Sequence, residues 1–160
     1  MQHLKYALLA LVVSGLFFLG ACDGGDDPAP QTVAEKISVS WRVQSATQDV
    51  GSGNEAVTFN TSNFRITFTA EGSEPTTYSV TPGGVPDGAK PNYNGTTNSG
   101  NWTISGNTST GTIVLQDAAA TNSNVSYSYN ETAGTLTLTW SVPQAIDKTE
   151  PTYTFVLEQA

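Results

Sequence analysis

From residue 37 onward, apolar and polar positions alternate with a period of two. Ile37, Val39, Trp41 and Val43 are interleaved with Ser38, Ser40, Arg42 and Gln44, the pattern of a strand with one buried and one wet face. Phe64, Ile66 and Phe68 repeat it against Arg65, Thr67 and Thr69, and a short run from Thr76 to Val80 follows Pro75. Further strands are predicted around Trp102 and Ile104, around Ile113 and Leu115, and around Val125, Tyr127 and Tyr129. The clearest lies over 135–142, where Leu136, Leu138, Trp140 and Val142 face one way, threonines and a serine face the other, and Pro143 stops the ladder. Tyr153, Phe155 and Leu157 mark the last strand, after Pro151. No helix of useful length is expected. Two stretches, 46–63 and 81–99, show no period and read as long irregular connections.

The connections at 106–111 and 130–134 have hairpin length and hairpin residues, so neighbours in sequence should be neighbours in space. The expected fold is all-β, an antiparallel up-and-down meander of about eight strands. Such a meander buries its apolar faces either by closing into a barrel or by packing as two sheets, and strand order distinguishes the two. A membrane-spanning barrel fits poorly, because the outward positions are threonine and serine and the runs fall short of the ~9–11 residues that span a bilayer. The nine aromatics Trp41, Phe64, Phe68, Trp102, Tyr127, Tyr129, Trp140, Tyr153 and Phe155 share the inward face. They are first of all core, each contributing roughly 1.5–3 kcal/mol on burial.

The amino-terminal segment changes the picture. Lys5 precedes an apolar run over 7–19 that ends in Leu19-Gly20-Ala21-Cys22. The run is too short for the ~20 residues of a spanning helix and has the layout of a signal peptide. Its last four residues resemble a bacterial lipobox, which implies cleavage before Cys22 and acylation of that cysteine with fatty chains such as palmitate. The domain plan is therefore a signal peptide over 1–21, an acidic flexible tether over 22–34 and a β-domain over 35–160. Asp23, Asp26 and Asp27 are similar to a surface-export signal of Bacteroidota lipoproteins; a plain solvated linker is the alternative. The expected location is the outer membrane, lipid-anchored, on its periplasmic or cell-surface face.

Composition narrows the chemistry. Without the signal peptide, five cations stand against 14 acids, a balance that favours solubility and disfavours nucleic acid. His3, the single histidine, leaves with the signal peptide, and Cys22 is the single cysteine. This excludes Ser-His-Asp and Cys-His nucleophilic catalysis and nearly every zinc site. The remaining acids fall mostly in linkers and turns, and carboxylate catalysis needs two of them held rigidly at a set separation. No enzymatic activity, metal or cofactor is expected. Arg42 and Arg65, the cations within strands, read as surface charge that discourages edge pairing.

Trp41-Arg42, Gly100-Asn101-Trp102-Thr103-Ile104 and Thr135-Leu136-Thr137-Leu138-Thr139-Trp140 resemble the lipocalin-like domains of small Bacteroidota lipoproteins. The resemblance covers roughly 35–160. It departs at Val39, where lipocalins place a glycine two residues before the first tryptophan. It implies a barrel, favoured over an immunoglobulin-like sandwich serving adhesion or carbohydrate interaction, with a mouth that accepts a small apolar or amphipathic ligand. The weight of inward aromatics favours a shallow pocket near that mouth over a deep cavity. Buried tyrosine hydroxyls need partners, so Tyr127, Tyr129 and Tyr153 are candidate ligand anchors, expected beneath the 81–99 stretch, which suits a lid and carries Tyr93 as a further candidate; disorder is the other reading of that stretch. The expected partners are the membrane through the lipid anchor and a small hydrophobic molecule, with the chain a monomer.

Overall fold

A sheet with one apolar face must cover it, and here it does so by closing on itself. The computed structural model describes residues 29–106, 108–144 and 149–160; the expected signal peptide, the lipobox-like residues with Cys22 and the acidic run 23–27 lie outside them. The chain from Gln31 to Ala160 forms one compact unit. Its elements are α1 (Val33–Ile37), β1 (Ser40–Asp49), β2 (Asn54–Ala56), β3 (Arg65–Glu71), β4 (Glu74–Thr81), a 3-10 turn (Asp87–Ala89), β5 (Ser99–Ile104), β6 (Thr110–Asp117), β7 (Asn122–Asn130), β8 (Thr135–Ser141) and β9 (Thr152–Gln159). Strands β3 to β9 pair in sequence, all antiparallel. β9 then pairs with β1, from Trp41↔Gln159 to Asp49↔Thr152, and β1 pairs with β3 at Trp41↔Ile66. The result is an eight-stranded up-and-down barrel with β2 as an extra strand beside β1. A single closed sheet replaces the two-sheet sandwich.

The alternating apolar residues fill the barrel. Trp41, Phe64, Ile66, Phe68, Leu136, Phe155 and Leu157 are fully buried, with Trp102, Ile113, Leu115, Val125, Leu138 and Trp140 beside them. Rings interlock in edge-to-face and tilted pairs, Phe64 with Phe155 at 5.4 Å and Phe68 with Trp102 at 4.9 Å between centroids. Such pairs contribute about 0.5–1.5 kcal/mol beyond burial. Outside, Arg42 is paired with Glu158 on the adjacent strand at 2.9 Å, and Arg65 donates to the Ser62 and Phe64 carbonyls; both cations belong to the surface.

One end of the barrel is closed by α1. Thr32 and Glu35 form a reciprocal capping box, each side chain accepting from the other's backbone N–H. Residues 32–34, expected in the tether, are therefore the start of an ordered helix. Five residues cannot sustain a helix alone; the burial of Ala34 and Ile37 holds it. The Trp41 indole N–H donates to the Ile37 carbonyl at 2.8 Å, and Lys36 reaches Glu131 in the β7–β8 turn, also at 2.8 Å. The closed end thus forms around Trp41 even with Val39 two residues before it.

Two bulges shape the walls. In β1 the register slips between Val43 and Ser45, so that Ala46 opposes Phe155 and Gln48 opposes Tyr153. The extra residue inverts the inward phase, as a bulge must. This corrects the reading of 46–63 as irregular: β1 continues to Asp49, turns, and returns as β2. A second slip leaves Thr69 facing both Thr76 and Thr77. The Thr69 carbonyl turns inward there and accepts the Trp102 indole N–H at 2.8 Å.

Candidate functional site: the lidded end of the barrel

The interior is apolar except at one end. The buried polar residues of the described chain are Lys90, Asn92, Asp117 and Ser123, and all four lie where β4 hands over to β5 and β6 to β7, opposite α1. Tyr78, Gly100 and Asp117 are register partners on β4, β5 and β6. Gly100 has to be glycine: a Cβ there would collide with the Gln116 carbonyl oxygen, and would sit 2.9 Å from the Asp117 Cα. With no side chain between them, Tyr78 and Asp117 come within electrostatic range of each other.

Residues 82–98 fold over this end as an ordered lid, which settles the choice between a lid and disorder. Its own Val85 and Ala89 are buried, and its Tyr93 packs against the core. At its start, Gly83 lies in the left-handed region at φ 59°, where a Cβ would come within 2.8 Å of the Asn63 and Phe64 backbone. The lid is thereby pressed on the 57–64 segment, whose Phe59 ring meets Tyr153 at 6.1 Å. At its far end, the Asn94 N–H donates to Ser123 Oγ at 3.0 Å and the Asn94 side chain to the Asn122 carbonyl.

Asp117 is the latch. One carboxylate oxygen accepts the Thr96 N–H at 2.8 Å and the Thr96 hydroxyl at 3.2 Å; the other accepts the Ala119 and Thr121 N–H groups at 3.0 and 2.9 Å. These bonds, the Thr96 and Thr121 N–H groups foremost, hold its carboxyl below the ordinary range. The same turn places Ala120 at φ 60°, a left-handed conformation that alanine rarely adopts. Lys90, 5 % exposed, is held within the lid by Asp87 at 2.8 Å and by Asn98 Oδ1 at 2.6 Å.

Under the lid some polar atoms lack partners. The Trp140 indole N–H is buried without a hydrogen bond, and the Tyr78 hydroxyl and the Asn92 side-chain oxygen, buried likewise, have no partner but each other. Burial, then the Asp117 charge, pushes the Tyr78 hydroxyl above its ordinary value, and the neighbouring Asn92 side chain acts in the opposite sense. Burial likewise raises Tyr153.

The four tyrosines expected together are divided between the two ends. Tyr93 and Tyr153 belong to the lidded end. Tyr127 and Tyr129 do not: Tyr127 pairs with Gly111 and donates its hydroxyl to the Thr108 carbonyl at 2.7 Å, and Tyr129 packs edge-on against Trp41. The expectation that they sit beneath the lid is corrected by strand direction, since β7 runs away from the lid. Asp117 and Ser123 extend the alternating inward runs of β6 and β7 by one step each, and Tyr78 alternates with the inward Val80 on β4; Asn92, in the lid, carries no such mark. A separate groove of about 290 Å³ lies on the outer face, lined by Asn101, Thr103, Val114, Gln116 and Asn122, and includes none of the expected site residues. Comparison with known protein families, with curated proteins and with solved structures finds no match for this chain, so its function has to be argued from the lidded end itself.

Proposed function

We propose that the protein is an envelope lipoprotein, anchored through acylated Cys22, whose barrel binds a compact amphipathic molecule at the lidded end and performs no catalysis. One observation carries the binding reading: buried polarity gathers under the lid, at Lys90, Asn92, Asp117 and Ser123, while the α1 end is sealed by apolar side chains. Asp117, Lys90 and Ser123 are bonded to the lid or within it, so they hold a polar cover over this end without the penalty of unbonded burial, and a fixed cover over one end is what a binding mouth needs. Phe59, Tyr93 and Tyr153, half-buried around the same end, supply apolar surface for a tail, and an apolar wall with a few placed polar groups is the usual make-up of a small-molecule site.

The test is native mass spectrometry of the protein extracted from its own host in mild detergent. The expected outcome is a retained small molecule that is released when Thr96→Val weakens the lid's hold on Asp117. A preparation free of any such molecule, together with no hit in a lipid and metabolite screen, would sink the binding reading.

A further inference from the structure

The outer wall formed by β5, β6 and β7 carries no charge. From Ser99 to Asn130 the single charged residue is Asp117, and it points inward, 4 % exposed. The outward positions of these strands are serine, threonine, asparagine and glutamine, with Val114 the one apolar exception. The chain as a whole holds six cations against 14 acids, so this neutrality belongs to the wall and not to the composition.

Strand register gathers the polar groups of the wall at one place. Asn101 pairs with Gln116 and Gln116 with Asn122, so three amides stand in a row across three strands. Thr103 and Val114, register partners two residues further along, stand beside that row. These five residues line the open groove of about 290 Å³, close to the ~300 Å³ at which small-molecule sites begin. Gln116 Nε2 donates to Asn122 Oδ1 at 3.1 Å, which orients both amides and leaves the Gln116 oxygen and the Asn122 amino group for other partners. The Asn101 side chain and the Thr103 hydroxyl bond to no other described residue.

Charge then decides the ligand. A carboxylate or phosphate would find no cation in the groove: Lys90 is buried in the lid with Asp87 and Asn98, and Arg42 lies on β1 with Glu158. An ammonium would find no carboxylate, since both Asp117 oxygens accept from Thr96, Ala119 and Thr121 on the inner side. An apolar tail would meet Val114 alone. A ring of hydroxyls does fit, because each hydroxyl donates and accepts as each amide does, and neighbouring hydroxyls match neighbouring amides in the row. We infer that the groove binds a neutral saccharide, taking one pyranose ring, at a site separate from the lidded end. No aromatic ring faces outward on these strands: Trp102 and Tyr127 are buried, and Tyr129 packs against Trp41. Hydrogen bonds alone therefore hold the sugar, and weakly, with a Kd of about 1–10 mM.

The experiment titrates the full chain in dodecylphosphocholine, a detergent without sugar groups. The probes are the methyl pyranosides of glucose, galactose and mannose, with glucuronate and glucosamine as charged counterparts and glycerol as a control. NMR follows the side-chain amides of Asn101, Gln116 and Asn122. The expected result is that at least one neutral glycoside shifts these resonances saturably and binds about threefold or more tightly than either charged sugar, while glycerol gives small linear shifts. Asn101→Ala and Gln116→Ala should each abolish the saturable shifts and leave the melting temperature within a few degrees, since outward positions away from the core carry little stability. Thr137→Ala, on the outer face of β8, should bind as the wild type does. A charged sugar that binds as tightly as the neutral ones overturns the inference, as does binding that survives both alanine variants. Shifts that stay linear for every sugar overturn it too, as do shifts spread equally over the hydroxyl pairs Thr139–Thr154 and Ser141–Thr152 of β8 and β9. None of these outcomes bears on the lidded end, whose reading stands or falls by its own retained molecule.

Discussion

Trp140 is 2 % exposed and packs against Tyr153 at 5.9 Å and Phe155 at 4.9 Å. Trp140→Ala should cost roughly 3–5 kcal/mol, the range for deleting a large buried ring, and this is a large fraction of the ~5–15 kcal/mol by which a domain is stable. Urea denaturation measures it; a variant with the wild-type midpoint would place that ring on the outside. Asp117 gives a dependence on pH. Its folded pKa lies below the unfolded value of about 3.9, so its contribution is fully present above that value and is lost as pH falls through the folded pKa. Asp117→Asn keeps the shape but loses the charge and one acceptor atom. The stability gap between wild type and Asp117→Asn should be constant above about pH 5 and close under more acidic conditions, which thermal melts at a series of pH values would show. A gap that stays constant into acid would mean that the latch does not depend on charge.

At the scale of elements, the row Tyr78, Gly100, Asp117 joins three strands and the lid. Gly100→Ala drives a methyl into the Gln116 carbonyl, so β5 and β6 must part or twist. The expected cost is about 1–3 kcal/mol, as for other overpacked sites, accompanied by faster amide exchange at Thr96, Ala119 and Thr121, whose N–H groups depend on Asp117. Loss of stability with unchanged protection of those amides would separate the strand contact from the latch. The lid itself has almost no regular structure, only the turn Asp87–Ala89. Its order comes from side-chain bonds made to β6 and β7, elements distant in sequence, and for that reason a composition rich in glycine and proline can read as disorder and still fold as a cover.

At the scale of the whole molecule, the prediction concerns the anchor. A lone cysteine at the end of a short apolar run, preceded by two small residues, motivates acylation of Cys22. In cells fed an alkyne fatty acid, the wild type should be labelled and Cys22→Ser should be unlabelled and released from membranes. Equal labelling of both would remove the anchor from the proposed function without touching the barrel. A single myristoyl-sized chain binds a bilayer only marginally, so retention through high-salt washing would further indicate more than one acyl chain on the new terminus.

The alternation of Trp41 and Val43, Leu136 to Trp140 and Tyr153 to Leu157 by itself determined these strands, their inward residues and the choice of a meander, because side-chain direction in a strand has a strict period of two; Ile37, which the same alternation places in the first strand, instead ends α1, since β1 begins at Ser40. Closure belongs to the tertiary structure: only the pairing of β9 with β1 turns the meander into a barrel rather than a sandwich. So does the continuation of β1 past Gln44, where one bulge inverts the phase and conceals a strand from any reading of period. The site divides the same way. Asp117 and Ser123 stand on readable inward positions, while Tyr127 and Tyr129 look like equals of Tyr153 in the sequence and are carried to the α1 end by the direction of β7. Tyr78 and Asn92 meet only because β4 and the lid are folded together. A periodic pattern reports which face a side chain takes; which end of a barrel it reaches, and what it meets there, follows from strand order and from loops packed over the rim.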